Sequence, residues 1–341
     1  MSSVVPLSVL DLARVERADP DASAAIRRSE RLAQDADRLG YHRVWFSEHH
    51  NMRTIASSAT ALLIQHVASR TERIRVGAGG IMLPNHSPLL VAEQFGTLEA
   101  LYPGRIDLGL GRAPGTDGAT VRALRRTGGE AERFPSDVLE LHGFLGDQSP
   151  VPGVRAYPGA DSRVPLYMLG SSIFGAQLAA QLGMPYAFAS HFAPGLLDQA
   201  AQAYRSGFAP DGPLAGPDAK PHLMVALNVI AADDAETAAR LRREAEDASL
   251  DAFFGRERPL SDEEVAAVRE TPQARQMLRM LDATLAGTEE QVRTGLAGIA
   301  ARVHADELIL VNHAPGEDHM RRTLELLAPD REACPAGRRG A

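Results

Sequence analysis

The feature that most constrains the fold is a regular alternation of short, β-branched apolar segments with longer segments of helical periodicity. Eight segments have the length and composition of buried strands, and a helix or a helical connection follows each of them: residues 5–10, 43–47, 74–82, 105–109, 165–169, 186–189, 223–231 and 306–311. This alternation favours a parallel sheet, because each helix returns the chain to the edge where the next strand begins. Eight such units in about 330 residues predict a (β/α)8 TIM barrel with insertions.

A doubly wound α/β sheet is the alternative for an alternating pattern. That fold binds its nucleotide through a glycine-rich turn after the first strand. Residues 11–14 have the sequence Asp-Leu-Ala-Arg, which contains no glycine. The sequence therefore favours the barrel.

Several helix ends can be located from their capping residues. Asp19 followed by Pro20 predicts an N-cap with proline at the first helical position. Gly40 is predicted to end that helix. Near the last strand, Thr288 and Gln291 have the spacing of a capping box.

We expect residues 1–329 to form a single domain in which two segments are longer than a barrel requires. Residues 146–163 are rich in proline and glycine and are predicted to be a surface excursion. Residues 250–286 are charged and partly helical, and we expect either a lid over one end of the barrel or a surface insertion. Residues 330–341 are predicted to form a disordered tail.

The composition excludes several classes of protein. The chain has 36 Lys and Arg against 44 Asp and Glu, a net charge of -8, and no local basic patch that would attract nucleic acid or an anionic membrane. No stretch reaches the roughly 18 apolar residues of a transmembrane helix, and the N-terminus lacks the features of a secretory signal. Cys334 is the only cysteine, which excludes an internal disulfide. We predict a cytoplasmic protein that binds neither nucleic acid nor membrane.

Two of the predicted strands end in residues suited to catalysis or to binding a flat ligand. Glu48, His49 and His50 follow the second strand, and Gly79 and Gly80 end the third. In a barrel these strand ends share one rim, where active sites are found. Imidazoles can transfer protons near neutral pH, and paired glycines let a flat ligand approach the backbone.

Two further strand ends carry groups suited to a phosphate. Arg112 follows the fourth strand, and Ser171 and Ser172 follow the fifth at the start of a predicted helix. A helix N-terminus has free N–H groups and favours anions. A glycine floor, an arginine, an imidazole and an anion site on one rim point to a flat phosphorylated cofactor.

Each of these residues also has a structural interpretation. Either histidine can be a hydrogen-bonded structural group, Arg112 can form a stabilising ion pair, and Ser172 can be a helix cap. A metal site at Glu48–His50 is not predicted, because the chain has neither the HxH nor the HExxH spacing there. A serine hydrolase is not predicted, because no GxSxG motif is present.

Four motifs in this order carry a resemblance to a known family: residues 44–50, 76–84, 103–109 and 169–175. Together they resemble the bacterial luciferase-like flavin-dependent monooxygenases, over residues 5–327. The chain is more similar to the single-chain, alkanal-monooxygenase-like oxidoreductases than to light-emitting luciferase. The resemblance implies a TIM barrel that uses reduced FMN and O2, through a C4a-hydroperoxyflavin, to oxygenate a small organic substrate.

The resemblance also implies partners. Many members of the family receive reduced FMN from a separate flavin reductase, and we expect the same here. We also expect a homodimer that packs through helices near residues 57–69 and 88–101. The Arg- and Ala-rich composition suggests natural-product tailoring as the context.

Roles for individual residues follow from the same resemblance. His49, preceded by Glu48, matches the family's catalytic histidine, and both are predicted catalytic residues. Gly79 and Gly80 match a pair joined by a cis peptide beneath the flavin ring. The residues predicted to bind the flavin phosphate are Arg112, Arg133, Ser171, Ser172 and Gly175.

The chain departs from luciferase at three positions. Ser171 replaces a glutamate, Gly175 replaces a threonine, and Gly111 stands where luciferase has a reactive cysteine. These differences are compatible with phosphate binding, but they argue against the aldehyde specificity of luciferase in this chain.

Three alternative functions remain open from the sequence. One is hydride transfer with the deazaflavin F420, another is flavin binding without turnover, and the least favoured is a metal-dependent hydrolase. The Glu-His-His run and the two arginines resemble the FMN enzymes more closely. The sequence does not identify the substrate. We expect His191, Phe192 and residues 250–286 to line the part of the pocket that binds it.

Overall fold

Eight parallel strands close into a barrel in the computed structural model, which describes residues 5–113, 115–127, 129–255 and 257–329. The barrel strands are β1 (Leu7–Asp11), β2 (Arg43–Phe46), β3 (Arg75–Met82), β4 (Ile106–Gly111), β5 (Leu166–Gly170), β6 (Tyr186–Phe188), β7 (Leu223–Ala232) and β9 (Glu307–Asn312). Strands β1 to β7 pair in sequence, and β9 pairs with both β7 and β1, which closes the ring. The predicted TIM barrel is confirmed.

Helices surround this barrel and connect successive strands. Within the described residues they are α1 (Ala22–Leu39), α2 (Thr60–Ala68), α3 (Pro88–Leu101), α4 (Gly118–Ala123), α5 (Glu130–Leu145), α6 (Ile173–Leu182), α7 (Leu197–Gly207), α8 (Ala235–Phe254), α9 (Asp262–Arg269), α10 (Pro272–Leu281), α11 (Glu289–Val303) and α12 (Glu317–Leu326). No helix in the described part of the chain has the length and apolar character needed to cross a bilayer.

One strand was not predicted. Strand β8 (Leu285–Thr288) lies outside the ring and pairs with the end of β7, where Val229 faces Leu285 and Ala232 faces Thr288. Its sequence, Leu-Ala-Gly-Thr, has little β-propensity of its own. The strand forms because β7 extends beyond the barrel and offers it an unpaired edge.

The first helix begins two residues later than predicted. Asp21, not Asp19, is its N-cap, with an extended φ of -165° and a side chain that accepts from the N–H of Ala24. Asp19 instead accepts a hydrogen bond from Arg28 at 2.8 Å and one from the N–H of Glu16. The other two predicted ends are confirmed: Gly40 ends α1 with a φ of 88°, and Thr288 and Gln291 form a capping box at α11.

The amino end of the barrel interior is filled by a network of ion pairs. Arg43 Nη1 donates to Asp107 Oδ2 at 2.7 Å, and Arg43 Nη2 donates to Glu307 Oε2 at 3.0 Å. Arg75 also binds Asp107, and the side chain of Ser8 donates to Glu307. The side chains of this network fill the amino end of the barrel, and their charges are paired with one another.

An apolar layer lies above this network in the middle of the barrel. It includes Trp45, whose indole N–H reaches down to Asp107 at 3.0 Å, together with the aromatic ring of Tyr167. The buried residues of this layer are Leu10, Trp45, Tyr167, Ala187, Met224, Ala226, Ile309 and Val311. Ligands can therefore reach the interior only from the carboxyl ends of the strands.

Residues 146–163, the predicted surface excursion, contain no helix or strand. The segment is not purely a surface feature, because Ala156 is fully buried and Gly159 packs directly on helix α3. A Cβ atom on Gly96 of that helix would lie 2.0 Å from the Cα of Gly159. The contact ties the loop to the barrel wall.

Residues 250–286 form the end of α8, helices α9 and α10, and the start of β8. Arg53, which follows β2, donates to Asp251 at 3.3 Å and to the carbonyl of Gly255 at 3.0 Å. Arg17, which follows β1, pairs with Asp262 at 2.8 Å. The segment is thus docked at the carboxyl end of the barrel, and its role as a lid stays a prediction. The predicted tail at residues 330–341, with Cys334, lies outside the described residues.

Candidate functional site

His49 lies three residues beyond the end of β2, on the loop at the carboxyl end of the barrel, and it is half-buried there. His49 Nδ1 lies 3.1 Å from Ser47 Oγ, which lies 3.3 Å from Ser57 Oγ. Ser57 donates in turn to the carbonyl of Leu12 at 3.1 Å. Burial lowers the pKa of His49, and the charge of Arg14 adds to this effect.

Glu48, the other predicted catalytic residue, is buried on the same loop and makes its hydrogen bonds with residues other than His49. Its Oε1 accepts hydrogen bonds from His50 Nε2 at 2.9 Å and from His86 Nε2 at 2.8 Å. Burial opposes ionisation of Glu48, but these two hydrogen bonds lower its pKa to about 2. The hydrogen bond with Glu48 raises the pKa of His50. Glu48 therefore holds two histidines of neighbouring loops together and does not touch His49.

The same three residues, Glu48, His50 and His86, place their ligand-type atoms within 4.8 Å of one another, as a metal site would. Both imidazoles, however, bind the same carboxylate oxygen at hydrogen-bond distance. The cluster is fully accounted for as a carboxylate that accepts two N–H donors. The absence of a metal stays a prediction.

Gly79 and Gly80 are joined by a cis peptide bond, as the resemblance implies. A Cβ atom on Gly79 would lie 2.9 Å from Leu10 Cδ1 and from Trp45 Cβ. On the adjacent strand, a Cβ atom on Gly109 would lie 2.3 Å from the carbonyl oxygen of Ala78. The glycines let β3 pack closely against β4 and against the side chains of Leu10 and Trp45.

Arg112 connects the starts of two helices at this rim. Its Nε donates to the carbonyl of Ala131 in the first turn of α5 at 3.2 Å. Its guanidinium lies 4.3 Å from the ring centre of Phe174 in the first turn of α6. Among the described residues nothing accepts from its two terminal amino groups, so they are available to an anion.

Ser172 is the N-cap residue of α6, and its side chain makes no capping hydrogen bond. Its carbonyl accepts from the hydroxyl of Tyr186 at 3.2 Å, which fixes the loop. Ser171 is half-buried beside it. Gly175 is buried in the first turn, where its Cα packs close to Gly170. The free hydroxyl and the unpaired N–H groups of this turn form an anion site next to Arg112.

Arg133 is the predicted phosphate ligand that the structure does not bring to this anion site. It lies in the first turn of α5, two residues after the Ala131 carbonyl that Arg112 contacts. Its guanidinium pairs with Asp137 at 3.5 Å and its side chain is 71% exposed. Arg133 is near the site in the chain, but its side chain is directed along its own helix.

The structure adds three polar residues to the rim that the sequence did not single out. Arg14 follows β1, Asn228 lies in β7, and His313 follows β9. Arg14 Nη2 donates to His313 Nε2 at 2.8 Å, and Asn228 Nδ2 donates to the carbonyl of His191 at 3.3 Å. Their position at strand ends is the same signal that identified His49, and it could have identified Arg14 and His313.

Burial keeps the imidazoles of this rim neutral. It lowers the pKa of His191 to about 4 and that of His313 well below its usual value. The charge of Arg14 lowers the pKa of both, and His49 also lowers that of His191. Arg14, His49, His191 and His313 thus lie near one another at the carboxyl end of the barrel. Phe192, the neighbour of His191, is 62% exposed.

Comparison with known proteins decides the family. The model of the luciferase-like monooxygenase family matches residues 5–307 of the chain. The chain belongs to the luciferase-like monooxygenase family. The resemblance drawn from the four sequence motifs is therefore confirmed.

Two relatives of the chain are informative. A protein of Escherichia coli K12, itself called a luciferase-like monooxygenase, is 45% identical over 309 residues, or 90% of this chain and 91% of that protein. An N-acetyl-S-alkylcysteine monooxygenase of Bacillus subtilis is 36% identical over 232 residues, or 66% of this chain and 67% of that protein.

Solved structures agree with this membership. The structure of apo-MsnO8 is 32% identical, has a TM-score of 0.85, and covers 96% of this chain and 97% of its own. More distant structures share the fold alone. They include a type II Baeyer-Villiger monooxygenase component in complex with FMN and an F420-dependent secondary alcohol dehydrogenase, at 17% and 15% identity with TM-scores of 0.71 and 0.66. Both cover 95% of this chain, and the coverage of their own chains is 96% and 99%. The fold is therefore compatible with either flavin.

Proposed function

We propose that this chain is a monooxygenase that uses reduced FMN and O2 to oxygenate a small organic substrate. The observation that carries the proposal is the anion site formed by the free end of Arg112 and the start of α6, in a barrel whose strand β3 contains the cis-linked pair Gly79 and Gly80. FMN has a phosphate, which matches the anion site, and a flat ring, which would lie against the Gly79–Gly80 backbone. When bound, reduced FMN supplies the electrons that activate O2.

In this proposal the phosphate is held by charge and by helix N–H groups. Arg112 donates from its terminal amino groups, and Ser172 donates from its hydroxyl. Ser171 and Gly175 contribute backbone N–H groups from the same turn. Arg133 joins them by turning its exposed guanidinium from Asp137, 3.5 Å away, to the phosphate.

His49 accepts or donates a proton at Nε2. One direction of hydrogen bonding satisfies every donor in its network: Ser57 donates to the carbonyl of Leu12, Ser47 to Ser57, and His49 Nδ1–H to Ser47. This direction leaves Nε2 with a free lone pair that faces the pocket. The lowered pKa of His49 favours the neutral form, which can act as a base at neutral pH.

Glu48 acts as a positioning residue in this mechanism. It holds His50 and His86 and so connects the loop after β2 to the loop after β3. These loops flank the Gly79–Gly80 backbone and His49. The docked segment 250–286 serves as a lid that excludes water from the pocket.

The cofactor assignment is tested by measuring O2 uptake and the dissociation constant for chemically reduced FMN. Arg112→Ala should weaken reduced FMN at least tenfold, because each charge-assisted hydrogen bond to the phosphate contributes about 1.5–3 kcal/mol. Arg122→Ala, which removes an exposed arginine of α4, is the matched control and should leave affinity unchanged. An unchanged dissociation constant in Arg112→Ala contradicts the assignment.

The same assay separates the alternatives. Hydride transfer from reduced F420 with no O2 uptake would identify an F420-dependent oxidoreductase. FMN binding without O2 uptake or product would identify a non-catalytic flavin-binding protein. A flavin reductase as the source of reduced FMN, a cytoplasmic location and natural-product tailoring remain parts of the proposal.

The proposal includes a homodimer formed through α2 and α3. These helices expose Leu62, Leu90 and Leu101, whose side chains are 72%, 56% and 56% accessible. Apolar side chains of this size on adjacent helices favour a protein interface. Light scattering at micromolar concentration should give about twice 36.5 kDa, and Leu62→Glu should give the monomer. A wild-type mass of one chain would contradict the dimer.

A further inference from the structure

Arg14 is held rigidly at the carboxyl end of β1. Its backbone pairs with Ile55 in an isolated antiparallel bridge, and the N–H of Val15 donates to the carbonyl of Thr54 at 2.9 Å. The carbonyl of Arg14 accepts from Arg28. The side chain extends to His313 Nε2, at 2.8 Å, across the junction of β1 and β9. Its position is therefore set by the barrel.

The guanidinium of Arg14 has no carboxylate partner among the described residues. Asp11 and Glu16 act on it only through their charge. Asp11 accepts from the N–H of Ala13 at 2.7 Å, and Glu16 accepts from the N–H of Gly316 at 3.0 Å. A partly buried cation whose only side-chain partner is a neutral imidazole lacks the counter-ion that such a group normally has.

Two neighbouring polar atoms also lack partners. His191 Nδ1 and Asn228 Oδ1 are buried and have no hydrogen-bond partner within the described part of the chain, and Asn228 is only 3% exposed. Buried polar groups are nearly always paired, so both atoms point to a ligand. Together with Arg14, they offer a positive charge, an imidazole and an amide to one bound group.

These residues lie on the half of the rim that the flavin site does not use. The anion site and the glycine wall are on β3, β4 and β5, whereas Arg14, His191, Asn228 and His313 follow or lie in β1, β6, β7 and β9. His49, after β2, lies at the boundary between the two halves. A substrate on the polar half would therefore meet the cofactor beside His49.

We propose that the Arg14 half of the pocket binds a carboxylate group of the organic substrate. The guanidinium supplies the counter-charge and a forked pair of N–H donors, whose geometry matches the two carboxylate oxygens. His191 donates from Nδ1, and Asn228 orients the polar part of the substrate next to the carboxylate. The role as a substrate site rests on the proposed monooxygenase function, but carboxylate binding does not require turnover.

The test compares carboxylates with their uncharged amides on the full chain at pH 7, by calorimetry without FMN. Acetate, hexanoate and benzoate are each paired with acetamide, hexanamide and benzamide. At least one carboxylate should bind tenfold or more tightly than its amide. Arg14→Gln should abolish this preference, because it should weaken binding of the carboxylate and leave binding of the amide unchanged. If no carboxylate binds more tightly than its amide, up to about 10 mM, the proposal is wrong.

Three further variants keep the result unambiguous. Arg14→Lys retains the positive charge but not the forked pair of N–H donors, so part of the preference for the carboxylate over the amide should remain. Asn228→Asp adds a negative charge and should weaken the carboxylate alone. Arg27→Gln, an exposed arginine of α1, should change nothing. Loss of the carboxylate in Arg112→Gln but not in Arg14→Gln would assign the binding to the phosphate site and overturn the proposal.

Reduced FMN provides the remaining distinction. If Arg14→Gln weakens the binding of reduced FMN and leaves carboxylate binding unaffected, Arg14 belongs to the flavin site and the proposal fails. If the protein does not use FMN at all, the calorimetric preference for carboxylates is unaffected. Failure of the monooxygenase proposal and failure of this one are therefore separate results.

Discussion

Arg43 and Arg14 occupy opposite ends of the same barrel and differ in their partners. Arg43, at the amino end, binds Asp107 at 2.7 Å, Glu307 at 3.0 Å and the hydroxyl of Tyr167 at 2.9 Å. Arg14, at the carboxyl end, has the neutral imidazole of His313 as its one side-chain hydrogen-bond partner among the residues that the structure describes. The first arginine is satisfied by the fold and the second is not, which separates a structural group from a binding group.

The pKa values of the two ends differ in the same way. At the amino end, burial opposes ionisation of Glu307, but Arg43 lowers its pKa to about 2. At the carboxyl end, burial keeps His191 and His313 neutral and Arg14 provides the charge. Buried charges are compensated by one another where the barrel is closed, and one is left uncompensated where a ligand can enter.

The largest expected effect is on stability at the amino end. Arg43→Met should lower the free energy of unfolding by about 3–5 kcal/mol, because it leaves Glu307 buried and without its cation. Arg14→Met, the matched variant at the other end, should lower it by less than about 1 kcal/mol because no carboxylate loses a partner. Urea denaturation measures both. Equal losses would remove the distinction between the two arginines.

Acid should destabilise the two ends in different pH ranges. The pKa of His191 is about 4 in the folded protein against 6.5 when unfolded. Between pH 6.5 and 4 the unfolded chain therefore binds a proton at His191 that the folded protein does not bind. The free energy of unfolding falls as the pH drops through this range. At about 1.4 kcal/mol per pH unit the loss is about 3 kcal/mol.

Glu307 acts at lower pH. Its folded pKa of about 2 lies below the usual 4.5, so its contribution is present above pH 4.5 and is lost as the pH falls towards 2. Denaturation curves at several pH values measure both ranges. His191→Gln should flatten the curve between pH 6.5 and 4 and leave the lower range intact. A curve unchanged by His191→Gln would contradict this origin.

The third effect concerns His49, at the boundary of the two halves of the pocket. His49→Ala should reduce product formation roughly 10²-fold, the usual contribution of a positioned acid–base group, while reduced FMN still binds. Ser57→Ala should cause a smaller loss and shift the pH dependence, because it frees the direction of the Ser47 hydrogen bond. A folded His49→Ala protein with normal turnover and coupling would exclude this role.

Local signals in the sequence were sufficient for the barrel and for much of the rim. The alternation of strands and helices predicts the fold, since each of the eight barrel strands is visible as a short apolar segment in the sequence. Placement at strand ends identified His49, Gly79, Gly80 and Arg112. The family resemblance added the cis peptide, which no pattern of residue types reveals.

The sequence was misleading where neighbouring signals compete or where a partner is distant. Asp19 and Asp21 both precede α1, and only the backbone conformation selects Asp21 as the cap. Strand β8 exists because β7 provides an edge. Glu48 and His49 are adjacent, but the carboxylate binds His50 and His86 whereas the imidazole contacts Ser47.

The sequence by itself determined the barrel, its rim of strand ends and the histidine at the centre of the proposed chemistry. Only the tertiary structure decided that Arg14 and His313, 299 positions apart, form one hydrogen bond, and that Asn228 joins the same pocket. The physical reason is closure of the ring: β9 pairs with β1, so the two ends of the chain meet. Charge compensation depends on such distant contacts, and a linear sequence does not contain them.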